Sequence, residues 1–339
     1  MSYDTATLLR VVAGLPRFDP LFLNRFFPGV ALFDTDTVNF DKLGIDQATK
    51  LAPFVSPLVA GQVRTDQGGE LRSFRPAYLK PKHVVDPQRM LVRRPGEALG
   101  GAMTPAMRRD AVIADNLRLQ RDQIMRRLEW MAAAALRTGK VIVAGEDYPT
   151  TEVDFRRTAG LTKTVSVAND KWSAATSNPP DDIEEWDTLL EAPSTDIIMN
   201  RVAWKYFRKH AAVKDLLDTR RGSESTIETA PGNGEVVQYK GMLGAKAIWV
   251  YTGTYTDDTG TTKEYLESGE IILASAAVEG IRAFGAILDP AAGYQALEMF
   301  PKNWISEDPA AEFVMTQSAP LPIPKRPNAS MCVKVTDAT

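Results

Sequence analysis

Cysteine is nearly absent from this chain: Cys332 is the single one in 339 residues. An internal disulfide framework is therefore excluded, and a reducing compartment is the natural setting. Histidine is almost as scarce. His83 and His210 stand alone, outside any HxxxH or CxxC-type ligand spacing, which removes the commonest zinc sites. Long apolar runs are missing too. The longest candidates, Met131–Leu136 and Ile271–Val278, fall well short of the roughly 18 residues of a membrane span. The opening MSYDTATLLRVVAGL puts an acid, not a basic stretch, ahead of its apolar residues, so no signal peptide is expected. A basic excess is also lacking. Lys+Arg number 40 against 43 Asp+Glu, a net charge of −3, whereas proteins that grip nucleic acid do so by neutralising phosphates. Hydrophobic and charged contents of 44% and 24% are those of an ordinary globular protein with one large or two modest domains.

The common catalytic patterns fail as well. Before Gly139-Lys140 a phosphate loop would need glycine where Ala134 stands. The GNG at Gly232–Gly234 runs into Glu235-Val236-Val237 and breaks the dinucleotide fingerprint. No GxSxG nucleophile elbow occurs. Carboxylate pairs exist at Asp181-Asp182 and Glu184-Glu185. They open a predicted helix, where acids favour the dipole in any case. No catalytic residue, cofactor or metal ligand is assigned, and no enzyme is expected.

What the chain does have is organisation. Seven of its 13 phenylalanines fall in the first 54 residues. Phe18, Phe22 and Phe26 recur at i, i+4 and i+8, one face of a short helix limited by Pro16, Pro20 and Pro28. Such an apolar arm needs a groove, in its own domain or in a neighbour. Val55–Met90 reads as two extended arms around a Gly68-Gly69 tip, with Pro76, Pro81 and Pro87 in the second arm. Prolines place that arm at a sheet edge or in a free ribbon, lying on its own domain or on a partner subunit. Thr104-Pro105 then starts a helix, and Gly139 stops it. With no internal glycine or proline, residues 105–138 predict a strut roughly 50 Å long. Its apolar face runs Met107, Ala111, Ala114, Leu117, Ile124, Leu128, Met131 and Ala135, interrupted by Arg121.

After Gly139, KVIVAG, TEVDFRR and LTKTVSVAN read as strands, SNPPDDIEEWDTLLEA as a helix, DIIM as a buried strand and VAWKYFRKHAAVKDLLD as one amphipathic helix. GAKAIWVYTGTY and TKEYLESGEIILA are further strands around Asp257-Asp258. Charge is uneven along the chain. Arg64, Arg72, Arg75, Lys80, Lys82, Arg89, Arg93 and Arg94 make the ribbon basic, while Asp181–Glu191 holds six acids and no base. The ribbon's basic face is expected to dock on the acidic surface of a neighbour, with two independently solvated faces as the alternative. Arg220 and Arg221 form a second cationic pair suited to an interface carboxylate or phosphate, or to a helix C-terminus.

Five blocks carry a resemblance: YLKPKH (Tyr78–His83) within the ribbon, FDPLFLNRFFPG (Phe18–Gly29), LDTRRGSES (Leu217–Ser225), YKGMLGAKAIWVYTGTY (Tyr239–Tyr255) and PKNWISEDPAAEFVMTQSAPL (Pro301–Leu321). In order and spacing, nearly end to end, they resemble the major capsid proteins of lambda-like tailed phages. The resemblance implies an α+β, Hong Kong 97-type fold with an N-terminal arm at 1–45 and an extended loop at 46–100. A peripheral domain with a spine helix would follow at 101–180, an axial domain at 181–285 and a return to the peripheral domain at 286–339. It implies hexamers and pentamers closing into an icosahedral shell that expands on DNA packaging. The partners implied are scaffolding, portal and decoration proteins and non-specifically contacted DNA, with no membrane. Assembly would take place in the host cytoplasm and the product would be the virion. Subunit contacts are expected at Phe18, Phe22, Phe26, Arg64, Arg72, Arg75, Lys80, Lys82, Asp181, Asp182, Glu184, Glu185, Arg220 and Arg221. A nanocompartment shell of the same fold around a cargo protein is the alternative.

Overall fold

The computed structural model describes residues 8, 20–35, 37–42, 70–92, 103–145, 148–216, 236–307 and 311–337. Its axis is one helix, Pro105–Thr138, with the bounds the sequence signals predict. Thr104 Oγ1 accepts the Met107 N–H at 3.2 Å, and Pro105 fills the first helical position, where an N–H would be unpaired anyway. At the other end Gly139 adopts φ 70°, a left-handed conformation that ends the helix. A Cβ there would also lie 2.5 Å from the Arg157 Cβ, so glycine is required twice over.

The last half of this spine helix lies on a six-stranded sheet with the order Thr162–Thr164, Ser330–Lys334, Glu270–Ala274, Asp196–Met199, Lys246–Tyr251 and Val237–Leu243. The sheet is buried on both faces, which explains why DIIM and EIILA are continuous apolar runs instead of alternating ones. Ile198, Ile272, Ala274 and Cys332 face the spine helix residues Leu128, Ala132 and Leu136. Ile197, Met199, Ile271, Leu273, Met331 and Val333 face the opposite way, under the helices Pro179–Asp187 and Arg201–Phe207. The two largest cores are thus separated by one sheet.

The first half of the spine helix rests on a second, three-stranded sheet of Phe300–Ser306, Ala311–Gln317 and Lys82–Val85, in that order. Val112, Ile113 and Leu117 pack there against Val85 and Val314. Lys82–Val85 is the edge strand that the prolines anticipate, with Pro81 before it and Pro87 after it. Gly29–Phe33, Ile281–Gly285 and Pro320–Ile323 make a third sheet.

Two expectations change. The predicted helix over VAWKYFRKHAAVKDLLD is two helices, Arg201–Phe207 and Ala211–Leu216. The chain tightens at Lys209 and His210, whose N–H groups both reach back to Tyr206 O at 3.1 Å. His210 is drawn inward, its Nε2 3.3 Å from Ser177 Oγ. The ribbon's Glu70–Phe74 pairs antiparallel with Val38–Lys42 of the arm region; its expected partner arm around Val59–Val63 lies outside the described residues. In the return segment, Phe300–Ser306 and Ala311–Gln317 belong to the three-stranded sheet under the first half of the spine helix, and Ser330–Lys334 belongs to the six-stranded sheet under its last half.

Candidate assembly surfaces

The arm comes first, because its phenylalanines were expected to reach a neighbour. Phe22 and Phe26 sit on a helix of six residues, Leu21–Phe26, and are 0% and 1% exposed in the chain's own core. Phe22 meets the Tyr251 ring edge-on at 5.1 Å between centroids. These two are therefore corrected from subunit contacts to internal packing: burial in the chain's own core leaves nothing of them for a neighbour. Phe18 lies outside the described residues.

What holds the arm down is a residue that apolar periodicity misses. Glu129, 0% exposed on the spine helix, accepts the N–H groups of Phe22 at 2.9 Å and Leu23 at 3.0 Å. Because Pro20 offers no side-chain cap, the first turn of the arm helix takes its cap from a residue more than a hundred positions away. The Tyr251 hydroxyl donates to the same carboxylate at 3.3 Å. Burial pushes the Glu129 pKa up to about 7, outweighing those hydrogen bonds, which pull it down. A second tie joins the arm to the sheet: Arg25 pairs with Asp196 at 2.8 Å and lies over the Trp249 ring, whose Nε1 also donates to Asp196.

The end of the spine helix has the complementary fastening. The Arg157 guanidinium donates to the carbonyls of Leu136 and Arg137 and to Thr162 Oγ1, so a cation meets the negative end of the helix. Burial lowers its pKa to about 10. Beside it Arg137 forms a bidentate pair with Glu270, at 2.7 and 3.0 Å, and a further bond to Glu267. Cys332, buried close by, has its thiol pushed up to about 12.

The ribbon lysines are engaged inside the subunit. Lys82 lies 4.0 Å from the Phe313 centroid and 5.2 Å from that of Trp304, while Lys80 lies 4.6 Å above Tyr78. Behind them, Gln120, another buried polar residue of the spine helix, touches His83 Nδ1 at 3.0 Å, donates to Val314 O and accepts from Thr316. Arg109 forks onto Glu312 at 2.7 and 2.6 Å. Arg75 is exposed and has contacts of its own. Arg64, Arg220, Arg221 and the Arg72 side chain lie outside the described residues.

The acidic helix is partly committed as well. Asp182 accepts the Trp172 Nε1–H at 2.9 Å, and burial raises its pKa. Asp181 accepts from Asn178. Asp187 takes the Ser194 N–H at 2.7 Å and pairs with Lys246 at 3.1 Å; these bonds outweigh burial and hold its pKa down. Glu184 and Glu185 stay in solvent. Among the described residues no cluster of three metal-ligating side chains occurs, and no helix is long and apolar enough to cross a membrane.

A long helix braced on two sheets, an arm tied across it and a loop strand at a proline-flanked edge define an α+β capsid subunit of the Hong Kong 97 type. The solved structure of a prophage capsid protein from E. coli CFT073 matches over 99% of this chain and 100% of its own, with 34% identity and a TM-score of 0.77. The mature capsid subunit of bacteriophage PhiM1 shares the fold at 12% identity and TM-score 0.54, over 96% of this chain and 90% of its own. The chain belongs to the phage major capsid protein E family, which it matches over residues 4–335. It is 38% identical to the major capsid protein of Escherichia phage N15 over 341 residues and 37% identical to that of Escherichia phage lambda over 340, each across 98% of this chain and 99% of the relative.

Proposed function

We infer that this chain builds the icosahedral head shell of a tailed double-stranded DNA phage. Subunits form hexamers and pentamers, close into a procapsid, and expand as DNA enters. The observation that carries this reading is the family match across residues 4–335. The work is structural, without catalysis. Scaffolding and portal proteins are the assembly partners, a decoration protein joins the mature shell, and DNA is held without sequence preference. A near-neutral charge of −3 suits a container that must release its contents. Assembly takes place in the host cytoplasm and the product is the virion.

Within the shell, the arm, the extended loop, the peripheral domain and the axial domain divide the work. The loop reaches across subunits, and several modest contacts per subunit make the lattice effectively permanent. Electron microscopy of the chain co-expressed with a candidate scaffolding protein tests this reading. Closed shells of uniform diameter are expected. Monomers that resist assembly with every neighbouring head-gene product would overturn it.

A further inference from the structure

The layer of helices over the outer core carries two segregated charges. Helix Pro179–Asp187 turns Ile183 and Trp186 into the core and leaves Asp181, Glu184 and Glu185 exposed. Helix Arg201–Phe207 turns Ala203, Trp204 and Phe207 inward and leaves Arg201 and Lys205 exposed, followed by exposed Lys209 and Lys214. Between Arg201 and Lys214 there are five basic residues and no acidic one, the mirror image of Asp181–Glu191. Both helices cover the same face of the six-stranded sheet, and the acidic one touches Ala211–Leu216.

This segregation is unfavourable in an isolated subunit. Asp181 with Glu185, and Arg201 with Lys205, are like charges at i and i+4, which destabilise a helix. Among the described residues, the exposed Arg201, Lys205, Lys209 and Lys214 form no ion pair with Asp181, Glu184 or Glu185. A surface meant only for solvent is better served by alternating signs. Of the ribbon's basic residues, Lys80 and Lys82 already lie over rings of their own subunit. DNA is a poor occupant of the basic face, because the adjacent acids repel phosphate.

We propose that this helical layer is a head-to-tail contact between copies of the chain, in which the Asp181–Glu185 face of one subunit meets the Arg201–Lys214 face of the next around a capsomer ring. The contact is heterologous, with different patches meeting, and such contacts generate closed rings. Its charges set the order of subunits and speed their encounter more than they add affinity. The inference rests on the shell reading and adds to it the surface through which the ring closes.

Two charge-reversed chains test it: Glu184→Lys/Glu185→Lys and Lys205→Glu/Lys209→Glu. Each alone sets like charges against each other at the centre of the contact and should lose ring formation in sedimentation and negative-stain images, with circular dichroism like that of the wild type. Mixed in equal amounts, the two should restore rings by alternating. Only even-numbered rings can alternate fully, so hexamers should return and pentamers should not. The neutral variant Glu184→Gln/Glu185→Gln, in which no repulsion is introduced, should assemble more slowly and lose most of the salt dependence of the wild-type rate. If either reversed chain forms rings as the wild type does, or the mixture stays monomeric while the wild type assembles, the contact is overturned and the shell reading stands. If the wild type itself never assembles, both fall.

Discussion

The spine helix is fastened at two places by opposite means. In its C-terminal half, an anion on the helix, Glu129, grips the N-terminus of another helix. At its end, a cation from elsewhere, Arg157, grips the helix's own C-terminus. Both obey the helix dipole, and both are buried charges satisfied largely by backbone groups. They differ in what a proton can do to them. Glu129, at about 7, titrates in the physiological range; Arg157, at about 10, does not. One fastening is adjustable and the other is fixed, so proton-dependent behaviour of this subunit should trace to the arm and not to the helix end.

Four experiments break or sharpen this contrast. The arm's hold is mostly packing, so Phe22→Ala should cost the most, about 4 kcal/mol of unfolding free energy in denaturant titration. A loss under 1 kcal/mol would mean the arm is not docked in solution. Arg157→Met strands two helix-end carbonyls and should cost about 2–3 kcal/mol, by an amount unchanged between pH 5 and pH 8. A pH-dependent loss there would erase the distinction. Third comes acid itself. The native Glu129 pKa of about 7 exceeds its ordinary 4.5, so the folded state holds the proton more tightly than the unfolded state. Stability should therefore rise as pH falls from 8 to 5, on the order of 2 kcal/mol. Glu129→Gln should flatten that slope in thermal melts; an unchanged slope would place the titration elsewhere. Smallest, Thr104→Ala removes a cap remote from both fastenings and should cost about 1 kcal/mol at every pH tested.

The sequence announces the spine helix but not its fastenings. Thr104-Pro105 and Gly139 are local signals, readable because capping chemistry spans only a few residues. Glu129 and its partners Phe22 and Leu23 lie more than a hundred residues apart, and no local pattern encodes that contact. One hint was present: a lone carboxylate in the apolar run LEWMAAAAL. The arm phenylalanines were rightly seen as needing a groove, yet periodicity cannot say whose. DIIM was recognisable as buried because both of its faces are apolar. The order of strands around it, with Ser330–Lys334 between Thr162–Thr164 and Glu270–Ala274, depends on long-range pairing. Of the proposed assembly surface, the acidic run is legible by count alone. Its basic counterpart was hidden inside what looked like an ordinary amphipathic helix.

The uneven distribution of these fastenings makes the spine helix a lever. From Ile124 to Arg137 it is embedded in a core and pinned by ionic ties, while its other end leans on a small sheet through three apolar residues, the Gln120 hydrogen bonds and the Arg109–Glu312 fork. Rotation by about 5° about Glu129, with roughly 36 Å of helix between it and Pro105, would sweep the first turn through about 3 Å. The edge strand Lys82–Val85, seated at that end, would be carried along. Small torques at the sheet thus become large strokes at the loop, with the mechanical advantage set by where Glu129 sits along the shaft.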